Sequence, residues 1–320
     1  MTIAASPYPT PSLSVEILDR VANETDLNRL QRLIPLVART CWELREVAGD
    51  DTGWRNVAQR LRSHPACKRL HRDPYTRRAF EKPRGYAGDA AMLDYIYKPV
   101  HDNPGRDLAS GDGNAILAYT TECPAARAVR NRRALLATAV DSMADSCSRL
   151  RIASLACGYL REAELMSSIE LGCLERYYAL DQDDECVQHV VRRFRDTSVQ
   201  AMSGSVRDLL KRATILEGVC DLDFFYAAGI FDYLTDRVAE ALVAEMFRRL
   251  RPRGILWIPN FVPHIPDRAY MEAFMDWWLI YRSPDALGKL DAKIPRQEIA
   301  SKRIFTESEG NVAFLELIRI

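Results

Sequence analysis

The chain has 320 residues, 48% of them hydrophobic and 28% charged, with 44 Lys and Arg against 44 Asp and Glu. That balance suits one large globular domain or two, excludes a disordered chain, and argues against a nucleic-acid partner. Eight cysteines are scattered without a CxxC pair, a pattern of reduced and mostly buried thiols rather than of disulfides or a zinc site.

The N-terminal MTIAASPYPTPS has no positive region followed by an apolar one, so a cytoplasmic location is expected. From about residue 12 to 145 the signals are helical. Leu27, Leu30, Ile34, Val37, Cys41 and Leu44 recur at steps of three and four, which places them on one face of a long helix. Further helices are predicted around 54–62, 88–97 and 124–144, with KPRGYAGD (82–89) and PGRDLASGDGN (104–114) as loops.

After residue 150 short apolar runs alternate with amphipathic helices. RIASLAC (151–157), YYALD (177–181), SVQAM (198–202), LDFFYAAG (222–229) and GILWIPNF (254–261) read as strands. One helix begins near Leu160, and the next carries Val187, Val190, Val191 and Phe194 on one side. Another opens after Thr235 as N-cap, carries Val238, Leu242, Met246 and Leu250, and is stopped by Arg251-Pro252-Arg253-Gly254. Trp277, Trp278 and Tyr281 then sit at helical spacing in MEAFMDWWLIYR (271–282), and KRIFT and VAFLELIRI close the chain as a hairpin. No apolar run approaches the ~20 residues of a membrane span. The expected fold is α/β, a doubly wound, Rossmann-like and mostly parallel seven-stranded sheet ending in an antiparallel hairpin. An N-terminal all-helical domain precedes it, giving domains 1–125 and 126–320.

Doubly wound sheets bind ligands beyond the carboxyl ends of their strands. The turn after the first strand, Ala156-Cys157-Gly158-Tyr159, is the first candidate, because Gly158 lets the backbone pass close to a ligand. Asp181, ending the second strand, is placed to accept both hydroxyls of a ribose. The stretch A-C-G-Y-L-R has one glycine where a dinucleotide site wants three, and no P-loop is present. S-adenosylmethionine carries no phosphate, so a single close backbone approach is enough for it.

ASLACGYLREAEL, YYALDQDDE, FFYAAGIFDYL, LRPRGILWIPNF and the terminal hairpin resemble the successive motifs of class I S-adenosylmethionine-dependent methyltransferases over residues 126–320. EKPRGYAGDAAMLDYIY, AVRNRR, SVRDLL and RAYMEAFMDWWLIYR are similar to a bacterial group annotated around 3-hydroxypalmitic acid methyl ester synthases, which are carboxyl O-methyltransferases. The resemblance implies that Ala156, Cys157 and Gly158 line the methionine part and that Asp181 and Gln182 hold the ribose. It further implies that Ser205 and Val206 flank the adenine and that Ala227 to Gly229 pass beside the sulfonium. Ala156 and Leu160 stand where the pattern commonly has glycines, so a shifted loop is expected there.

On the acceptor side, Arg84 in RGYAGD can clamp a carboxylate in bidentate fashion, with Tyr86 beside it as a catalytic and substrate-contacting candidate. Arg130 is expected to face the cofactor carboxylate. Asn260 and His264 follow the fifth strand, His264 as candidate base, and Tyr281 and Arg282 are expected to reach the pocket. No His, Asp and Glu cluster at metal-ligand spacing is seen, so no metal is expected. The expected function is S-adenosylmethionine-dependent methyl transfer to O (carboxylate or hydroxyl) or N of a small acyl or amino-acid-derived metabolite. A non-catalytic cofactor-binding module and an NAD-dependent oxidoreductase are the alternatives. The expected partner is a small-molecule acceptor, with a homodimer left open.

Overall fold

A computed structural model describes residues 11–98, 103–147, 149–212, 216 and 218–320. Residues 1–10, most of the N-terminal stretch read above for a signal, lie outside this range. The chain divides into two compact units. One comprises the chain up to Arg127 together with His264–Trp278; the other comprises Ala128–Pro263 and Leu279–Ile320.

The first unit contains α1 (Pro11–Asn23), α2 (Leu27–Ala48), α3 (Asp51–Ser63), α4 (Pro65–Leu70), α5 (Pro74–Glu81), α6 (Ala90–Tyr97), α7 (Pro104–Leu108) and α8 (Gly111–Thr120). Side-chain oxygens of Asp26, Asp50, Asp73, Asp89, Asn103 and Ser110 accept first-turn N–H groups, which explains most of these starts. On α2 the stripe of Leu30, Ile34, Val37 and Cys41 is buried as predicted, whereas Leu27 is exposed. The loop predicted over 104–114 is instead α7 and the start of α8. Caps at Asn103 and Ser110 nucleate them, and Gly113 admits the Arg72 carbonyl where a Cβ would collide.

α9 (Pro124–Ala144) carries the boundary between the units. The second unit holds β1 (Leu150–Leu155), α10 (Ser167–Glu170), β2 (Leu174–Asp181), α11 (Asp184–Arg193), β3 (Val199–Ser203), α12 (Val206–Leu210), β4 (Leu222–Tyr226), α13 (Asp236–Arg248) and β5 (Leu250–Phe261). The sheet order is β3-β2-β1-β4-β5-β7-β6, where β6 is Ile299–Thr306 and β7 is Val312–Arg319. β1 to β5 pair in parallel, and β7 runs against both β5 and β6. This is the expected seven-stranded, mostly parallel fold with its antiparallel C-terminal pair. β4 is buried along its whole length, as a strand covered on both faces must be, while the edge strands β3 and β6 are part-exposed. The register between β4 and β5 jumps from Leu222↔Leu250 to Phe224↔Ile255, so Arg251-Pro252-Arg253, expected to stop the helix, instead bulges inside β5; α13 already ends at Arg248 and Leu250 opens the strand.

Two local expectations are corrected. The helix expected to begin near Leu160 is instead a 3-10 turn (Arg161–Leu165) followed by the four-residue α10. MEAFMDWWLIYR is not one helix either. α14 (Arg268–Phe274) ends because Asp276 takes φ 45° and its carboxylate gathers Arg62, Lys82 and Trp278 Nε1. Trp277, Trp278, Tyr281 and Arg282 therefore follow in an irregular segment before α15 (Pro284–Gly288). The segment 264–278, expected in the second domain, groups with the helices. There Glu272, 1% exposed, accepts from Trp54 Nε1 at 2.8 Å and Arg45 Nε at 2.9 Å.

Candidate functional site

The strand order reverses between β1 and β4, which opens a crevice at their carboxyl ends. The turn after β1 enters it with Ala156, Gly158 and Leu160 all at positive φ, 53°, 55° and 53°. This is the conformation glycine adopts freely; each non-glycine residue there costs about 1–2 kcal/mol. The chain thus takes the left-handed turn with alanine and leucine in place. Leu160 is fully buried, which offsets its cost.

Asp181 ends β2 across from this turn. Its Oδ2 accepts Gly158 N–H at 2.7 Å and its Oδ1 accepts Asp183 N–H at 2.9 Å. The carboxylate is 6% exposed, and burial raises its pKa above the usual range against the pull of those donors. Cys157 N–H bonds to Leu180 O at 3.1 Å, and burial pushes its thiol well up. Tyr159 turns towards α11, its hydroxyl 2.9 Å from Glu185 and its ring stacked on His189.

Past β2 and β3 a cavity of about 560 Å³ is lined by Gln182, Ser205 and Val206, three residues singled out in the sequence. Its other walls are Arg207 and Leu210, inside the SVRDLL motif, with Lys211 and Val238; the sequence alone assigns none of the four to a site. Ser205 caps α12 in a reciprocal box with Asp208, so its hydroxyl shapes the loop. Gly204 N–H bonds to Asp181 O at 2.9 Å and ties this loop to the end of β2.

Beneath the crevice lies a buried polar cluster that sequence reading missed. Tyr226, the last residue of β4, donates to Glu162 Oε1 at 2.7 Å and hydrogen-bonds to Tyr177. Ser154 Oγ stands 3.5 Å from the same oxygen. Burial raises the Glu162 carboxyl, with Arg132 and Arg133 drawing it down. Ala227 and Gly229 follow β4, Ala227 fully buried. Asp232, 2% exposed, accepts Phe261 N–H at 2.8 Å, and burial raises its pKa to about 6.

The remaining candidates separate. Asn260 and Arg282 are engaged with one another. Arg282 directs all five of its donors to protein oxygens: Asp236 Oδ1 from Nε and Nη2, Phe231 O and Asn260 Oδ1 from Nη1, and Leu234 O from Nη2. Asn260 Nδ2 donates to Phe261 O and Ile280 O. Tyr281 and Arg130 are part-buried in the same unit. Arg84, Tyr86 and His264 belong to the helical unit, with Gly85 at φ 87° between the first two and His264 exposed beside Trp42. Among the described residues no group of three or more His, Cys, Asp or Glu is arranged to hold a metal, and no helix is long and apolar enough to cross a membrane.

No protein-family model matches the chain, and no curated protein matches it in sequence. Solved structures do. A possible exported protein from Bordetella parapertussis is similar over 97% of this chain and 99% of its own, at 15% identity and a TM-score of 0.55. The CurJ carbon methyltransferase is similar over 96% and 90%, at 12% identity and a TM-score of 0.55. Magnesium protoporphyrin IX methyltransferase from Synechocystis, with S-adenosylhomocysteine bound, covers 62% of this chain and 88% of its own, at 13% identity and a TM-score of 0.44. The two matches along nearly the whole chain show that it shares its fold with a methyltransferase.

Proposed function

We propose that this chain is an S-adenosylmethionine-dependent methyltransferase acting on O (carboxylate or hydroxyl) or N of a small acyl or amino-acid-derived metabolite. One observation carries the reading. The left-handed turn 156–160, the Asp181 carboxylate bonded to it and the cavity at Gln182, Ser205 and Val206 follow one another along the carboxyl ends of β1, β2 and β3. The full-length likeness in fold to a carbon methyltransferase supports it.

The residues present fit that cofactor. Asp181 keeps acceptor capacity on both oxygens for a ribose diol, since each takes one protein donor. Val206, Leu210 and Val238 offer apolar walls to a purine, and no phosphate-binding glycine run is needed. When bound, the cofactor supplies an electrophilic methyl on a sulfonium leaving group. The protein's share is to orient the two reactants and keep water out, and a carboxylate acceptor needs no base. On this reading residues 126–320 supply cofactor binding, and the helices of 1–125 recognise the acceptor through Arg84 and Tyr86, with His264 as the base when the acceptor carries a proton.

Calorimetric titration of the purified protein with S-adenosylhomocysteine tests the reading, with NAD as control. Binding of the first alone supports it; NAD binding, or no binding of either, sinks it.

A further inference from the structure

Arg132 lies on α9 and is 4% exposed, and its Nε has no hydrogen-bond partner. Buried polar groups are nearly always partnered, and a buried cation without acceptors costs several kcal/mol. The guanidinium lies beside Gly229, three residues past the end of β4. Its Nη2 and Nη1 lie 3.7 and 4.0 Å from where a Cβ on Gly229 would sit, so the missing side chain of Gly229 leaves its edge approachable. Glu162 and Asp232 are the buried carboxylates whose charge it favours. Each is engaged elsewhere, Glu162 by Tyr226 and Asp232 by Phe261 N–H.

A guanidinium presents a planar fork of donors that matches a carboxylate edge to edge. A doubly charged phosphate would meet about twice the repulsion from Glu162 and Asp232 that a singly charged carboxylate meets, so the carboxylate is the better-matched anion. We propose that Arg132 is the receptor for a ligand carboxylate beyond the end of β4, with Gly229 keeping its approach open. Two sources share that chemistry, the α-carboxylate of the cofactor and a carboxylate on the acceptor; the first of them rests on the methyltransferase reading above.

The test compares S-adenosylhomocysteine with its decarboxylated analogue by calorimetry on wild type and Arg132→Ala, with folding checked by circular dichroism. Arg132→Lys, which keeps the charge but not the fork, serves if the truncation does not fold. With the cofactor as source, wild type binds S-adenosylhomocysteine about 10- to 100-fold more tightly than the analogue. Arg132→Ala then erases that preference, and added guanidinium restores it. If wild type does not discriminate, acetate and acetamide are offered to the S-adenosylhomocysteine-loaded protein and followed by saturation-transfer NMR. Acetate binding that needs Arg132 then assigns the acceptor as source. Indifference to Arg132 in both arms overturns the proposal. A wild type that binds no S-adenosylhomocysteine removes the methyltransferase reading instead, and acetate binding to the free protein then decides the role of Arg132 separately.

Discussion

Asp181 and Gly158 are joined by a 2.7 Å hydrogen bond from the turn after β1 to the end of β2, and the same carboxylate takes Asp183 N–H at 2.9 Å. One side chain thus fixes the turn after β1 and keeps lone pairs on both oxygens, which on the proposed reading would serve the ribose. Asp181→Ala removes both functions and is expected to weaken S-adenosylhomocysteine binding by about 10- to 100-fold, the worth of one or two charge-assisted hydrogen bonds. Asp181→Asn retains an acceptor oxygen and should lose less. Calorimetry on the three proteins gives the order; equal affinities would exclude Asp181 as the ribose anchor.

Ala156 and Leu160 share a left-handed backbone but differ in what their side chains do. Ala156 is only part-buried, so Ala156→Gly relieves strain at little loss of packing and should raise stability by about 1 kcal/mol. Leu160 is fully buried, so Leu160→Gly gives up more in burial than it gains in backbone freedom and should cost about 2 kcal/mol or more. Urea unfolding measures both, and opposite signs for the two variants are the expected result.

The sheet was legible because its central strands are continuous apolar runs bounded by turn residues, and LDFFY is buried in full. Gln182, Ser205 and Val206, which the resemblance pointed to, line one cavity. What stayed hidden depends on long-range packing. DLASGDGN has the composition of a loop, yet Ser110 caps a helix there whose Gly113 packs against the Arg72 carbonyl, a distant contact that only glycine allows. MEAFMDWWLIYR has helical spacing but is cut at Asp276 by Arg62 and Lys82, distant in sequence. Arg132 did leave a signal. Val129, Arg132, Leu136 and Val140, at steps of three and four, are all buried, so the phase of α9 places Arg132 on its inner stripe while Arg130 is only part-buried.

Arg282 was expected to reach substrate, and its five donors all meet protein oxygens. Arg282→Ala leaves Leu234 O and Asn260 Oδ1 without their Arg282 donor and Phe231 O with the Leu234 N–H alone. It should lower stability by about 2–4 kcal/mol, most of it from the buried carbonyls, since the Asp236 side chain is 73% exposed and screened. Chemical denaturation checks this. Unchanged stability with loss of acceptor turnover alone would assign Arg282 to the substrate after all.

Asp232 makes the stability of this protein depend on pH in a predictable direction. Burial raises its carboxyl to about 6 from the ordinary 3.8, although Arg132 and Arg282 both pull it down. The folded chain therefore holds this proton more tightly than the unfolded chain does. Its contribution is fully present below about pH 3.8 and is lost as the pH rises through about 6, a change of about 3 kcal/mol for a shift of that size. Asp232→Asn keeps an acceptor for Phe261 N–H and removes the titration. The stability of wild type relative to this variant should fall between pH 4 and pH 7 and stay level above that. Arg132→Met, which takes away one stabilising charge, should move the midpoint of that fall to higher pH. Urea unfolding of the three proteins across this range is the measurement, and a pH-independent difference between wild type and Asp232→Asn would show that Asp232 does not titrate there.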